Sequence, residues 1–396
     1  MKIKIKKNIY NNKASFLTLS TLITVAFFGL FSPYAYNILP SNEIFEIAFL
    51  LIAALSFKGT SEKAMGFMLA AFIYILASFL LMRLFRPADI LDFAQAYKSF
   101  FYIIPLSLLA GKNKFNKDQI NFVFFVLLFM FFAKYGYSRS LQLDDSLSKR
   151  PGIYTENNFE LILLILIYYL ASPSLNKYRT ISFLLLAFVV FISGSRSALL
   201  ALLVVYGAVF IRKINYRIVI SAGALICLAG LFLYIFSERL AGGSIEDIDR
   251  YRFLMIFLDE TRNWNILNYL LGSAPLTPLS INSCAMLSYY ESLFSHASDG
   301  SCYSVILHSY LLRIIFDQGV LGLAFIITFI WYGLGAAEYS TRQKLCIIGV
   351  FMVSGLSVSS LNSVYSAISL AIAFSYPQRT LIKRQPMALQ TPLNYL

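Results

Sequence analysis

The sequence predicts an all-α polytopic membrane protein, and three observations support this fold class. Of the 396 residues, 58% are hydrophobic and only 13% are charged, whereas soluble domains carry about 25% charged residues. The mean hydropathy is +0.69. The apolar residues also gather in repeated runs of the length that crosses a bilayer, which takes roughly 20 residues as a helix. Because lipid-exposed backbone must satisfy its own hydrogen bonds, these runs are expected to form a helical bundle.

Each apolar run is expected to form one helix, which gives about twelve spans. The first run, residues 16–30, follows the basic segment MKIKIKKNIYNNK. Because this run is long and no small-residue cleavage site follows it, we expect an uncleaved span rather than a signal peptide. The later spans are expected near residues 44–57, 64–82, 90–110, 120–133, 158–171, 181–192, 198–211, 218–236, 310–331, 345–357 and 361–374.

Basic residues between the runs predict the orientation of the spans, because lysine and arginine concentrate in cytoplasmic loops. If the chain starts in the cytoplasm, residues 32–42, which contain no lysine or arginine, lie outside. Both termini are then cytoplasmic, and residues 237–307 lie outside. Every segment assigned to the inside carries at least two basic residues; these segments are residues 1–13, 58–63, 112–117, 177–179, 212–217, 342–344 and 379–384.

The chain is expected to divide into four regions. Residues 1–236 hold spans one to nine, with a smaller outside loop near residues 134–157. Residues 237–308 form a large outside loop, residues 309–376 hold the last three spans, and residues 377–396 form a cytoplasmic tail. The net charge of +13 lies mainly in short segments between spans, so it does not indicate nucleic acid, which binds to a basic face of a soluble domain. No internal repeat is visible, which disfavours a transporter.

The four cysteines indicate no metal site, because no CxxC motif or histidine–cysteine cluster is present. Cys227 and Cys346 lie inside apolar runs, where neutral thiols are expected. Cys284 and Cys302 both lie in the large loop. If that loop is outside the cytoplasm the two residues can form a disulfide; the alternative is two free thiols.

Two outside segments carry arginines where the positive-inside rule disfavours them. Arg150 lies in the first, KYGYSRSLQLDDSLSKRP, and Arg250 and Arg252 lie in the large loop. These arginines suggest an anionic partner; the alternative is solvated charge balanced by neighbouring aspartates. Arg250 and Arg252 also begin the amphipathic stretch IEDIDRYRFLMIFLDE, which suits a helix lying on the membrane interface. Its apolar face is formed by Ile248, Tyr251, Met255 and Leu258.

Arg196 lies in FISGSRSALLALLVV, between two apolar runs with no room for a long loop. A charge near membrane depth costs about 2.5–3.5 kcal/mol, so such a residue usually faces the bundle interior or a polar cavity. Gly194 and the flanking serines would then let backbone donors approach a phosphate beside Arg196. The alternative is a tight hairpin turn with an arginine that reaches the interface.

His308 is the candidate for proton transfer. It lies where the large loop re-enters an apolar helix, in VILHSYLLRIIFDQG, and imidazole titrates near neutral pH, as a general base requires. The alternative is a structural hydrogen bond at a helix start. Arg313 and Asp317, further along, are less interpretable, and His296 has no obvious partner in the sequence.

Asp92, Lys98 and Glu160 are charged residues that fall within the expected spans. Charged side chains in a membrane bundle usually pair with one another or with backbone groups. We therefore expect these three residues to be partnered inside the bundle or near its ends.

Three stretches together resemble the O-antigen polymerase and O-antigen ligase superfamily. They are RPGIYTENNFELILL, FISGSRSALLALL and LHSYLLRIIFDQGVLGLAF, in that order over residues 150–322, with the Leu271-Gly272 turn before the last one. The family patterns are approximately R-x-x-G-x-x-x-N-P-N, G-x-R-x-x and H-N. Here Glu156-Asn157-Asn158 replaces N-P-N and His308-Ser309 replaces H-N, so only Asn158 and His308 carry over from those two motifs.

The resemblance implies an inverting, metal-independent glycosyltransferase with a multispan fold of the C type. It implies no cofactor, and it implies glycans carried on undecaprenyl diphosphate as substrates at the periplasmic face of the bacterial inner membrane. A separate chain-length regulator is an expected partner. Arginines around the departing diphosphate would stabilise its charge, and His308 would accept the proton of the acceptor hydroxyl. The implied diphosphate-binding residues are Arg196, Arg150, Arg250 and Arg252, with Gly194, Asn158 and Ser309 in support.

The sequence therefore favours a polymerase that joins lipid-linked repeat units into O-antigen or a related surface polysaccharide. The nearest alternative is a ligase that transfers the chain to the lipid A core. A flippase for the same lipid-linked sugars is the alternative from another class, but it would need polar residues along a path through the bilayer, whereas the polar residues here concentrate at one face.

Overall fold

The computed structural model describes residues 12–33, 37–140, 152–155, 157–211 and 249–378. These residues form α-helices and short 3₁₀-helices, with no strand among them, which confirms the all-α prediction. The α-helices are α1 (Lys13–Phe31), α2 (Ser41–Ala54), α3 (Glu62–Phe85), α4 (Ile90–Ala96), α5 (Lys98–Leu109), α6 (Lys117–Ser140), α7 (Asn157–Ala171), α8 (Arg179–Ser193), α9 (Arg196–Phe210), α10 (Asp249–Glu260), α11 (Ile266–Leu271), α12 (Ile281–Met286), α13 (Tyr310–Ala336), α14 (Thr341–Gly355) and α15 (Val364–Phe374).

Several of these helices are long and apolar enough to cross a bilayer, which is consistent with a helical membrane protein. The candidates among the described residues number 5, and shorter apolar helices accompany them. Every expected span within the described residues coincides with helix, while the one near residues 218–236 lies outside them. The total of twelve spans stays a prediction. The candidate spans are Lys13–Phe31, Glu62–Phe85, Lys117–Ser138, Asn176–Ser193 and Tyr310–Ala336.

The span expected over residues 90–110 is two helices rather than one, because the helix breaks at Tyr97. This residue has φ −98° and ψ 11° and separates α4 from α5. In a continuous helix the Ser99 N–H would donate to the Gln95 carbonyl. Here the Ser99 N–H donates to Asn362 Oδ1 at 3.2 Å, and the Gln95 carbonyl accepts from Arg313 Nη2 at 3.2 Å. Partners from distant parts of the chain thus replace the local bond.

The helix ends meet in two groups, as alternating spans require. On the face that carries residues 249–309, called the loop face below, Arg86 Nη1 donates to Thr277 Oγ1 at 2.8 Å. On the opposite face, Lys112 Nζ donates to the Lys58 carbonyl at 2.7 Å, and the Gly111 N–H donates to the Phe374 carbonyl at 3.0 Å. Segments predicted to share a side therefore contact each other.

The bundle core is built on α7 and α15, which are apolar on all sides. Residues 161–171 are each at most 6% exposed, and the whole of α15 is buried. A helix that is hydrophobic all round belongs in the interior of a large or membrane protein. By contrast, α3 lies at the periphery, where Leu84 and Phe85 are 75% and 76% exposed. Exposed apolar side chains such as these suit a surface that contacts lipid.

The large loop has a small apolar core of its own, and a disulfide joins Cys284 to Cys302 within it. The Cα atoms of the two cysteines are 5.9 Å apart. The free-thiol alternative is therefore not the arrangement in this structure. The bond ties α12 to the segment that leads into His308. Phe253, Ile256, Phe257, Leu279, Leu287, Phe294, Ile306, Leu307 and Phe316 form the surrounding apolar cluster.

The loop is anchored on α13 by two facing glycines. Gly319 has φ +66° and Gly272 has φ +83°, and a Cβ added to Gly319 would lie about 2.2 Å from the Leu270 carbonyl oxygen. The Ser273 N–H also donates to the Phe316 carbonyl at 2.7 Å. Because backbone meets backbone here, only glycine fits. The Leu271-Gly272 turn therefore fixes the large loop against a membrane-spanning helix.

Helix α10 has apolar side chains on two faces. Phe253, Ile256 and Phe257 are buried in the loop core. The face predicted to lie on the membrane interface is exposed in the structure, with Met255 at 47% and Leu258 at 51%; Ile248 lies outside the described residues. An exposed apolar face beside spanning helices is what an interfacial helix requires. The neighbouring α11 is similar, since Ile266 and Leu271 are 76% and 60% exposed.

Candidate functional site

His308 lies in a left-handed turn between the 3₁₀-helix Ser304–Leu307 and α13. Its φ of 51° is uncommon for a residue other than glycine and stores strain that the surrounding contacts must offset. Its carbonyl accepts from Ser359 Oγ at 3.3 Å, and Ser309 caps the following helix by accepting from the Leu312 N–H. The imidazole ring lies 5.8 Å from the ring centroids of Phe253 and Tyr290. The histidine is thus held by α13, by the segment around Ser359 and by the loop core.

The turn before Arg196 is as short as the sequence predicts. Helix α8 ends at Gly194, which has φ +63°, and Ser195 caps α9 by accepting from the Ala198 N–H. Arg196 is the first residue of α9. Among the described residues, a Cβ added to Gly194 would meet no atom within 4 Å. The tight hairpin turn is therefore present, and a polar site beside it stays a prediction.

Asn158 holds this turn from the central helix α7. Its Oδ1 accepts hydrogen bonds from Ser195 Oγ at 2.7 Å and from Ser197 Oγ at 3.2 Å. All three side chains are buried. Asn158 therefore fixes the N-terminus of α9, and with it the position at which Arg196 leaves the helix.

Arg196 and Arg250 are near enough to interact electrostatically, and the interaction between the two guanidinium groups is repulsive. Both side chains are half-buried, so water screens their repulsion less than it would at an exposed site. Arg252 is half-buried on the same helix, and Arg150 lies outside the described residues.

Helix α10 links this arginine pair to His308. Arg250 precedes Phe253 by three residues, so the two side chains lie on one face of the helix, and the Phe253 ring contacts the imidazole of His308. The first turns of α10 therefore carry both Arg250, which interacts electrostatically with Arg196, and Phe253, which contacts His308.

A cavity of about 250 Å³ adjoins His308. The chain has two histidines, and both line this cavity. The sequence gives His296 no partner. In the structure the imidazole Nε2 of His296 lies 3.1 Å from Gln95 Nε2, and the backbone N–H of His296 donates to Asp92 Oδ1 at 3.1 Å. The other polar side chains in the lining are Asp92, Gln95, Ser292, Ser295, Arg313 and Ser359.

Arg313 is a site residue that the sequence reasoning did not assign. It is 5% exposed, and its Nη1 donates to Ser359 Oγ at 2.9 Å. In the part of the chain that the structure describes, its buried Nε has no hydrogen-bond partner. One turn later, Asp317 Oδ2 accepts from Ser304 Oγ at 2.6 Å. The available signal was the spacing, because Arg313 lies five residues after His308, in the first turn of the apolar helix that follows it.

The charged residues within the expected spans are partnered, as predicted. Lys98 Nζ lies 2.5 Å from Glu46 Oε1. Asp92 Oδ2 accepts from Ser295 Oγ at 2.6 Å. Glu160 is fully buried, and its carboxylate accepts from the backbone N–H groups of Ile153 and Tyr154. Glu160 therefore holds the short segment before α7.

Within the described residues, no group of three or more histidine, cysteine, aspartate or glutamate side chains has the spacing of a metal site. No family model, curated protein or solved structure matches this chain. The proposed function therefore rests on the residues described above and on the sequence motifs.

Proposed function

We propose that this protein is an inverting, metal-independent glycosyltransferase that polymerises undecaprenyl-diphosphate-linked repeat units into O-antigen or a related surface polysaccharide. The observation that carries the proposal is helix α10, on which the half-buried Arg250 interacts electrostatically with Arg196 and Phe253 contacts the ring of His308. A pair of cations suits a diphosphate leaving group, and an adjacent imidazole suits the activation of a hydroxyl group.

The arginines would act on the donor substrate. As the bond between the anomeric carbon and the diphosphate oxygen breaks, negative charge grows on the diphosphate. Guanidinium groups already placed around that position stabilise this charge without reorganisation. Arg196 and Arg250 fill this role in the proposal, and Arg252 and Arg150 are further candidates. Asn158 and Gly194 support it by fixing the turn from which Arg196 projects.

His308 would act on the acceptor substrate. Its imidazole accepts the proton of the acceptor hydroxyl as that oxygen forms the new bond to the anomeric carbon. Attack comes from the side opposite the diphosphate, which inverts the anomeric configuration. Positioned general bases contribute about 10²–10⁴-fold to the rate. Ser309 supports the histidine by capping α13 directly after it.

The exposed apolar faces of α10 and α11 fit a substrate that stays in the membrane. In the proposal both helices lie in the outer leaflet of the inner membrane, so the site is adjacent to the lipid carrier. The disulfide between Cys284 and Cys302 agrees with a periplasmic loop, because such bonds persist in oxidising compartments. The proposal includes about twelve spans, a C-type glycosyltransferase architecture and cytoplasmic termini.

The test is the lipopolysaccharide profile of the native host after deletion of the gene. A core that carries one repeat unit, without a ladder, supports the polymerase. A bare core, with polymer accumulating on the lipid carrier, would instead indicate a ligase, and an unchanged profile would contradict both activities.

Complementation of the deletion strain then tests the residues. The wild-type protein and the Arg262→Ala variant should restore the ladder, since Arg262 is an exposed arginine of the same loop. The variants Arg196→Ala and His308→Asn, made at the same level, should not restore it. Asparagine is chosen because it tolerates the left-handed conformation of residue 308 better than alanine does.

A further inference from the structure

A second cavity opens sideways between α2, α4 and α5, and its volume is about 630 Å³. Most of its wall is apolar, and the rim residues Leu50 and Leu91 are 58% and 57% exposed. An opening of this kind faces lipid rather than water. Its polar lining consists of Glu43, Glu46, Gln95, Lys98, Tyr102 and His296.

This lateral cavity adjoins the cavity beside His308. Gln95 lines the lateral cavity, the His308 cavity and a third, middle cavity of about 260 Å³. Lys98 lines the lateral and middle cavities, and His296 lines the lateral and His308 cavities. The three spaces therefore meet around Gln95, between the lipid-facing opening and the imidazole.

The chemistry of these linings differs from that of the arginine pair. The middle cavity is lined largely by neutral amides and hydroxyl groups, among them Asn42, Thr155, Ser359, Asn362 and Ser363, and also by the charged Lys98 and Arg313. Amides and hydroxyl groups both donate and accept hydrogen bonds, as sugar hydroxyls require. The charge of Lys98 is matched by Glu46.

We infer that these three cavities form the acceptor site, in which the hydroxyl-bearing end of a lipid-linked glycan enters between α2 and α5 and Gln95 positions it at His308. This inference rests on the proposed function. It assigns the two substrates to different sides of His308, with the donor diphosphate at α9 and α10 and the acceptor sugar at α2, α4 and α5.

The fold holds Gln95 by its backbone and leaves its amide group accessible. The break at Tyr97 frees the Gln95 carbonyl to accept from Arg313 Nη2. The side chain is exposed, and its amide lies beside the imidazole of His296. A substitution of the side chain therefore removes the amide while the backbone bond remains, so the effect on binding can be separated from an effect on folding.

The test measures binding to the full-length protein in nanodiscs of bacterial phospholipid. The probe is the repeat-unit oligosaccharide released from the host's lipid carrier by mild acid and labelled with a fluorophore at its reducing end. Because it lacks the diphosphate, it serves only as an acceptor. The wild-type protein and the Arg262→Ala variant should bind it saturably and equally.

Two changes at Gln95 and one at the lateral opening should weaken binding of the probe. Gln95→Ala removes the amide, and Gln95→Met removes it while keeping the length of the side chain. Each should reduce affinity about tenfold, as expected for the loss of roughly one hydrogen bond. Ala94→Trp fills the lateral cavity, which Ala94 lines, and should reduce affinity at least as much. Arg196→Ala should still bind the probe.

The inference is overturned if the wild-type protein does not bind the probe saturably, or if both Gln95 variants and Ala94→Trp bind it with wild-type affinity. Loss of probe binding in Arg196→Ala with normal binding in the Gln95 variants would also overturn it.

A second measurement separates this inference from the proposed function. The same wild-type nanodiscs are given lipid-linked repeat units from the deletion strain. Polymer formation without probe binding refutes the acceptor site alone, whereas absence of polymer refutes the polymerase proposal.

Discussion

Two polar regions of the loop face differ in their electrostatics. The arginine pair, Arg196 and Arg250, consists of like charges that repel each other. The region around Gln95 contains neutral amides and hydroxyl groups and the ion pair of Lys98 with Glu46. His308 lies between the two regions, since it contacts α10 through Phe253 and shares a cavity with Gln95.

This difference indicates that the two regions bind different substrates of a two-substrate reaction. Guanidinium groups match the geometry of phosphate oxygens, so the region of Arg196 and Arg250 suits the diphosphate. Amides and hydroxyl groups both donate and accept hydrogen bonds, so the region around Gln95 suits sugar hydroxyls. The comparison predicts which substitutions affect the leaving group and which affect the acceptor.

The largest effect is expected at His308, because it serves both regions. His308→Asn removes the general base while keeping a residue that tolerates φ 51°. The rate of polymer formation from lipid-linked repeat units in nanodiscs should fall about 10²–10⁴-fold. Binding of the labelled oligosaccharide should change much less. A variant that folds normally and polymerises at the wild-type rate would remove His308 from the mechanism.

Next in size is the effect of removing one arginine of the pair. Arg196→Ala should lower kcat about 10²–10³-fold, the effect typical of losing one preorganised group at a developing charge. The KM for the lipid-linked donor should rise as well, because the diphosphate is already anionic before its bond to the sugar breaks. Arg262→Ala is the matched control on the same loop. Equal losses of kcat in Arg196→Ala and Arg262→Ala would indicate a general effect of positive charge rather than a specific site.

The helices could be predicted from the sequence because the bilayer imposes their length and apolarity. The expected spans coincide with helices wherever the structure describes them. The break at Tyr97 could not be predicted in this way. It depends on Arg313 and Asn362, which bind the α4–α5 junction from positions more than 200 residues further along the chain.

Unusual placement in the sequence identified Arg196, Arg250 and His308 as candidate residues, and their roles stay predictions. The interactions of Arg250 with Arg196 and of Phe253 with His308 depend on tertiary packing and carried no sequence signal. His296 and Gln95 carried no sequence signal, because their contact joins residues separated by 201 positions. The spacing of Arg313 from His308 was a sequence signal. In the structure Ser359 connects the two residues, because it accepts from Arg313 Nη1 and donates to the His308 carbonyl.

Removal of the disulfide that ties α12 to the segment leading into His308 is expected to lower stability moderately. Cys284 and Cys302 are 18 positions apart, and closing a loop of about that length stabilises a protein by roughly 3 kcal/mol in the chain-entropy model. The double variant Cys284→Ser/Cys302→Ser should therefore unfold at a lower temperature, and dithiothreitol should lower the Tm of the wild-type protein similarly. Cys346→Ser is the control, because Cys346 is a buried free thiol. A wild-type Tm that dithiothreitol does not change would contradict a stabilising disulfide.

The smallest effect is expected from the ion pair of Lys98 and Glu46, and it tests whether the acceptor side is electrostatically matched. Their side chains are 33% and 35% exposed, so solvent screens the pair, and exposed pairs contribute about 0.2–1 kcal/mol. A double-mutant cycle with Lys98→Met and Glu46→Gln, measured by unfolding in detergent, should give a coupling energy in that range. A coupling of about 3 kcal/mol or more would indicate a pair that behaves as buried. The region around Gln95 would then be shielded from solvent and could not open to a hydrated glycan.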